Sequence, residues 1–174
     1  MIILGLDLST KNSGYSIFKD NELIEYGCIN AGSANLFHRI DKMVTDLEQI
    51  ISRYSIDHVY LEDIYPEDVH NNIQVYKALC YLQGFILHLL DHYKIEHTFF
   101  IPSEWRAKCG IRTGRGIKRD TLKAKDIEFV KNQFDIMVGD DAADAIGIGF
   151  AGIGGVPKQV ETKTTKTDDD FEFL

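Results

Sequence analysis

The sequence predicts an α/β domain with a mixed five-stranded sheet, three antiparallel strands followed by parallel ones, flanked by helices. Three short apolar runs open the chain with only turn residues between them. Beyond Gly32, helix-like and strand-like apolar periods alternate, the pattern of an open sheet with helices on its faces. The length of 174 residues, with 44% hydrophobic and 26% charged residues, suits one compact domain of ordinary globular composition.

Each element follows from local pattern. Ile2 to Asp7 is a short apolar run ending in an acid, as a buried strand would be. Ser9-Thr10-Lys11-Asn12-Ser13-Gly14 reads as a turn. Tyr15 to Phe18 and Leu23 to Ile29 read as strands joined by a hairpin at Asp20-Asn21. Leu36, Ile40, Met43, Val44, Leu47, Ile50 and Ile51 recur at helical spacing and predict a long amphipathic helix. His58 to Glu62 is a fourth strand, again closed by an acid. Ile73 to Tyr93 carries a broad apolar face and predicts a second long helix. His97 to Ile101 is a fifth strand stopped by Pro102. Lys118 to Asn132 has helical character, and Gly139-Asp140-Asp141 opens a last helix with acids where the macrodipole favours them. We place the folded domain at residues 1–155. Residues 156–174, a Lys/Thr/Glu spacer running into Asp168-Asp169-Asp170-Phe171-Glu172-Phe173-Leu174, are expected to be a disordered acidic tail.

Composition excludes several classes. No unbroken run of about 18 apolar residues is present, so no membrane span or membrane partner is expected. Met1 to Asp7 lacks a basic stretch and meets an acid early, unlike a secretory signal. Cys28, Cys80 and Cys109 form no C-x-x-C pair, which argues against a disulfide framework or structural zinc and for a cytoplasmic setting. His88 and His92 share a helix face at i, i+4, but no third ligand stands near, so they read as ordinary helix surface.

Charge is unevenly spread. Between Glu104 and Lys125, eight basic residues face two acids, a local +6 on a chain of net charge −8, leaving −14 for the remainder. An acidic chain with one concentrated basic segment suits a localised polyanion site, although a solvated helix face would show the same charges.

Four carboxylates stand out against this background. Asp7 and Glu62 end strands expected at the centre of the sheet, where open α/β sheets place their sites. Asp141 and Asp144, at i, i+3, share one face of the last helix. Alone, each has an ordinary reading, as strand-end turn residue or helix-dipole partner. Together, four carboxylates repel by about 1 kcal/mol per close pair in water and about 4 at an effective dielectric near 20. Such a cluster must protonate in part or hold cations, and all-oxygen ligands suit Mg²⁺ or Mn²⁺. Two such ions about 3.5–4 Å apart support in-line phosphoryl displacement by water. Asp140 and Asp63, by helical and strand spacing, point away from the group.

The segments Gly5-Leu6-Asp7-Leu8-Ser9, Leu61-Glu62-Asp63-Ile64-Tyr65 and Asp141-Ala142-Ala143-Asp144-Ala145 resemble the three acidic motifs of the RuvC Holliday-junction resolvases, members of the ribonuclease H-like superfamily. The resemblance spans Ile2 to Phe150. Trp105-Arg106 and Gly110-Ile111 look like the phage branch, the lactococcal phage resolvases above all. It implies a ribonuclease H-like fold and a metal-dependent endonuclease that cuts four-way DNA junctions by paired nicks in recombination, repair or phage DNA processing. It implies Asp7, Glu62, Asp141 and Asp144 as catalytic metal ligands for Mg²⁺, or Mn²⁺ in its place, two ions per site. Tyr65 stands where the family has a base-stacking aromatic, and Lys118 and Arg119 beside Gly114-Arg115-Gly116 resemble its basic loop. With Arg112 and Arg115 these are the expected DNA-binding residues.

A two-fold substrate suggests a homodimer, with the Ile73–Tyr93 face as contact; an internal core role suits that face equally well. The acidic tail could dock a protein partner or fold over the basic segment as a mimic of DNA. A nuclease of forks and flaps without junction preference, and a non-catalytic DNA-binding adaptor, are the alternative readings.

Overall fold

The computed structural model describes residues 1–32, 35–66 and 72–158. Ten elements follow in order: β1 (Ile2–Asp7), β2 (Asn12–Lys19), β3 (Glu22–Asn30), α1 (Leu36–Tyr54), β4 (His58–Glu62), α2 (Ile73–His92), β5 (Glu96–Phe100), α3 (Pro102–Lys108), α4 (Arg119–Phe134) and α5 (Asp140–Gly152). The sheet order is β3-β2-β1-β4-β5. β1 to β3 pair antiparallel, and β4 and β5 join parallel to β1, giving the mixed five-stranded sheet the sequence predicts.

The β2–β3 hairpin closes at Asp20 and Asn21, with φ of 49° and 72°, where Lys19 pairs with Glu22. Two left-handed residues in a tight loop match the twist of the flanking strands, and Asp and Asn tolerate that region best among non-glycine residues.

Strand alternation divides the core in two. Leu4, Leu6, Ile17, Val59 and Leu61 face α1 and α2, meeting Met43, Leu47, Leu82, Ile86 and Leu90. Ile3, Phe18 and Phe100 face the other way, against Trp105, Val130, Ala143, Ile146 and Phe150 of α3, α4 and α5. On this second face α5 lies almost on the strand backbone. The Ser16 hydroxyl donates to the Ala145 carbonyl at 2.7 Å, and a Cβ on Gly5 would stand 2.6 Å from both the Ala145 oxygen and the Gly149 nitrogen. Only glycine at Gly5 permits that approach.

Four expectations need correction. The expected turn at Ser9 to Gly14 is shorter, because β2 begins at Asn12. The fifth strand runs Glu96–Phe100, since Ile101 becomes the N-cap of α3 and Pro102 its first helical residue. α3 itself, seven residues long, was absent from the sequence pattern. Finally, α2 is long and apolar enough to cross a membrane by length and composition, against the expectation of no such segment. Its inner face nevertheless packs in the core through Leu82, Ile86, Leu89 and Leu90. The expected acidic tail lies outside the described residues beyond Lys158.

Candidate active site

Leu6 pairs with Leu61 in the parallel β1–β4 register, so the next residues, Asp7 and Glu62, end adjacent strands side by side. Leu6 and Leu61 face α1 and α2, and alternation turns the two acids to the opposite face, beneath α5. The close docking of α5 then brings its first turns, with Asp141 and Asp144, over those strand ends. All four carboxylates line one cavity of about 430 Å³, whose wall also includes Arg106, Arg119 and Lys123. A second cavity of about 380 Å³ shares Asp7, Ser9, Glu62 and Arg119 and runs toward Asn72 and Val75 at the start of α2.

Neighbouring side chains hold three of the four acids, each in a different way. Asn12 donates its side-chain N–H to Asp141. The Trp105 indole N–H donates to Glu62 Oε2 at 2.5 Å. Arg106 forms a fork on the fully buried Asp126, with N–H···O distances of 2.9–3.1 Å, and stands 3.9 Å from Asp144 Oδ2. The other Asp144 oxygen, Oδ1, is buried with no hydrogen-bond partner in the structure.

Electrostatics follows from this crowding. Burial, then Glu62 and Asp141, push Asp7 up to about 7, with Arg106 and Lys123 pulling it back. Burial, then Asp7 and Asp126, push Asp144 up to about 9 against the pull of Arg106. Among the described residues, no three Asp, Glu, His or Cys side chains close to the spacing of a single shared ion. The carboxylates surround the cavity instead, as mutual repulsion dictates. The donor set still fits a hard divalent cation: it is all oxygen, four carboxyl groups on one cavity, and includes one buried oxygen with no hydrogen-bond partner.

The other candidates separate by position. Asp140 pairs with Lys123 and lies outside both cavities. Asp63 accepts from the Ile64 amide and, against the expectation that it points away, lines the second cavity with Asp7 and Glu62, though not the one that holds all four carboxylates. Arg119, the first residue of α4, enters both cavities. Lys118, its N-cap, and Arg115 in the preceding loop are exposed. Arg112 is exposed too, but lines a different cavity beside Cys109 and Phe129. Tyr65 is 38% exposed, just past the end of β4. Within the basic segment, Arg106 turns inward to Asp126 and Lys123 is taken by Asp140, so the local +6 is not all presented outward.

Asn12, Trp105 and Asp126 were not foreseen as site residues. The one available signal was the chain's single tryptophan beside an arginine, since a buried indole N–H requires an acceptor.

Comparison with known proteins places this geometry. The family model described as crossover junction endodeoxyribonuclease RuvC matches residues 3–151. The RuvC of Wolinella succinogenes is 37% identical over 70 residues, covering 37% of this chain and 43% of that protein. The RuvC of Campylobacter hominis is 32% identical over 95 residues, covering 52% and 59%. The chain thus spans about half the length of the curated relatives it matches. In fold, it is similar to T. thermophilus RuvC in complex with a Holliday junction substrate, with a TM-score of 0.71, 11% identity, and 88% and 94% of the two chains covered. The chain therefore belongs to the RuvC family and has its ribonuclease H-like fold.

Proposed function

We propose that the chain is a divalent-metal-dependent endonuclease that resolves four-way DNA junctions by paired nicks. The observation that carries this reading is the meeting of Asp7, Glu62, Asp141 and Asp144 on one cavity whose wall also carries Arg106, Arg119 and Lys123. Its family membership, and the junction substrate bound by the similar T. thermophilus RuvC, support the choice of substrate.

In this reading the four carboxylates hold Mg²⁺, with Mn²⁺ able to replace it, two ions per site. Bound there, such ions would supply activation of water and stabilisation of the leaving oxygen for an in-line phosphodiester displacement that leaves 5′-phosphate and 3′-hydroxyl ends. The chain's own residues supply the rest. Asn12 and Trp105 each donate to one carboxylate oxygen, of Asp141 and Glu62, and so orient both acids at the cavity. Arg119 enters the same cavity and offers a guanidinium to the scissile strand, while Arg112, Arg115 and Lys118 hold backbone phosphates farther out. Tyr65 stacks on a base at the junction.

Paired nicks need two sites, and a second copy of the chain supplies the other. Ile73, Tyr81 and Phe85 leave an apolar stripe exposed on the outer side of α2, and this stripe is the proposed dimer face. We place the protein in the cytoplasm, where its DNA substrate would be, and retain a protein partner as the role of the acidic tail.

The direct test is cleavage of labelled four-way junctions, forks and flaps with Mg²⁺. The four-way junction is expected to be cut fastest, by symmetric nicks in opposing arms. Equal cutting of all three would point to a general branch nuclease, and binding without cutting to a DNA-binding adaptor.

A further inference from the structure

We infer that Trp105 is a positioning residue for Glu62, and that this indole reports directly on cation binding at the carboxylate cavity. The inference rests on the metal-site reading above. Trp105 is fully buried on α3, and its N–H reaches Glu62 Oε2 at 2.5 Å across a sequence separation of 43 residues. Its ring is wedged against α5, where a Cβ on Gly147 would stand 2.5 Å from the ring edge. On the ring face, the Arg106 guanidinium lies 4.2 Å from a ring centroid and is itself locked by its fork on Asp126. The indole is thus fixed from three sides, and its single donor has one direction.

A carboxylate held at one oxygen by a rigid donor keeps its other oxygen aimed. Ligating carboxylates are commonly oriented in this way, and losing such a partner typically costs about 10–100-fold in metal affinity. Asp7 has no comparable side-chain donor among the described contacts, so the indole singles out the β4 acid.

Because the chain has one tryptophan, the ¹⁵N-labelled intact protein shows one indole N–H cross-peak, which makes the test direct. Titration with Mg²⁺ is expected to move that peak to saturation, with a dissociation constant that also accounts for the metal-induced rise in Tm; in Glu62→Gln the peak should stay still. Trp105→Phe keeps an apolar ring but lacks the donor. It is expected to raise the Mg²⁺ concentration for half-maximal junction cleavage about 10–100-fold, with junction affinity in chelator unchanged and the rate recovering at saturating Mg²⁺. A peak that ignores Mg²⁺, in a chain that still cuts junctions, would overturn the positioning role and leave the nuclease reading standing. If Trp105→Phe does not fold, the intact-chain titration decides alone. No Mg²⁺-induced change in either Tm or the peak would overturn both.

Discussion

Asp144 illustrates what the site demands of a single side chain. One of its oxygens is buried without a hydrogen bond, and its carboxyl is pushed up to about 9 by burial and by Asp7 and Asp126. An ordinary unfolded aspartate titrates near 4. The folded state therefore holds this proton more tightly, and stability from it is full below about pH 4 and is lost as pH rises through the folded value. Asp144→Asn keeps the shape and removes the titration. In chelator at pH 8 to 9, the variant is expected to melt above the intact chain, by about 2–4 °C for each kcal/mol relieved. A flatter dependence of Tm on pH should accompany that rise, and both are measurable by calorimetry. An unchanged or lower Tm would show that the carboxyl is at ease in the fold. The acids were legible in the sequence because each closes an apolar run or opens a helix, and those patterns are local. Trp105, Asn12 and Asp126 were not, because their contacts to Glu62, Asp141 and Arg106 join residues 43, 129 and 20 apart in the chain.

At the scale of elements, the site depends on how closely α5 can lie on β1 and β2. Gly5, Ser16 and Gly149 make that approach possible, and it carries Asp141 and Asp144 to the strand ends. Gly5→Ala should force the helix away from backbone atoms that cannot yield. A loss of about 1–3 kcal/mol in denaturant stability is expected, together with loss of cleavage, because overpacking at a rigid contact is destabilising. Wild-type stability and activity in this variant would contradict the account of how α5 is placed. The long elements were readable from hydrophobic period alone: α1 begins at Leu36 and β4 spans His58–Glu62 as expected. α3 escaped because seven residues give barely two turns, too short for periodicity to register. Its proline at the first helical position reads equally well as the stop of a preceding strand.

The whole molecule presents two surfaces of different character. One is the carboxylate cavity with Arg119 and the exposed loop cations beside it. The other is the α2 stripe, where Tyr81 and Phe85 are each about half exposed, at 50% and 51%. If a second copy covers the stripe, Phe85→Glu should convert dimer to monomer in sedimentation experiments. Monomer stability should hardly change, since the side chain is exposed within one chain. A wild-type profile for both dimer and monomer would place any dimer contact elsewhere. The central claim concerns the cavity, and cleavage of a synthetic four-way junction with Mg²⁺ by the intact chain and by Asp144→Asn tests it most directly. Paired nicks in opposing arms by the intact chain, lost in the variant while junction binding persists, are the predicted result. Junction binding without cleavage by either protein would contradict it.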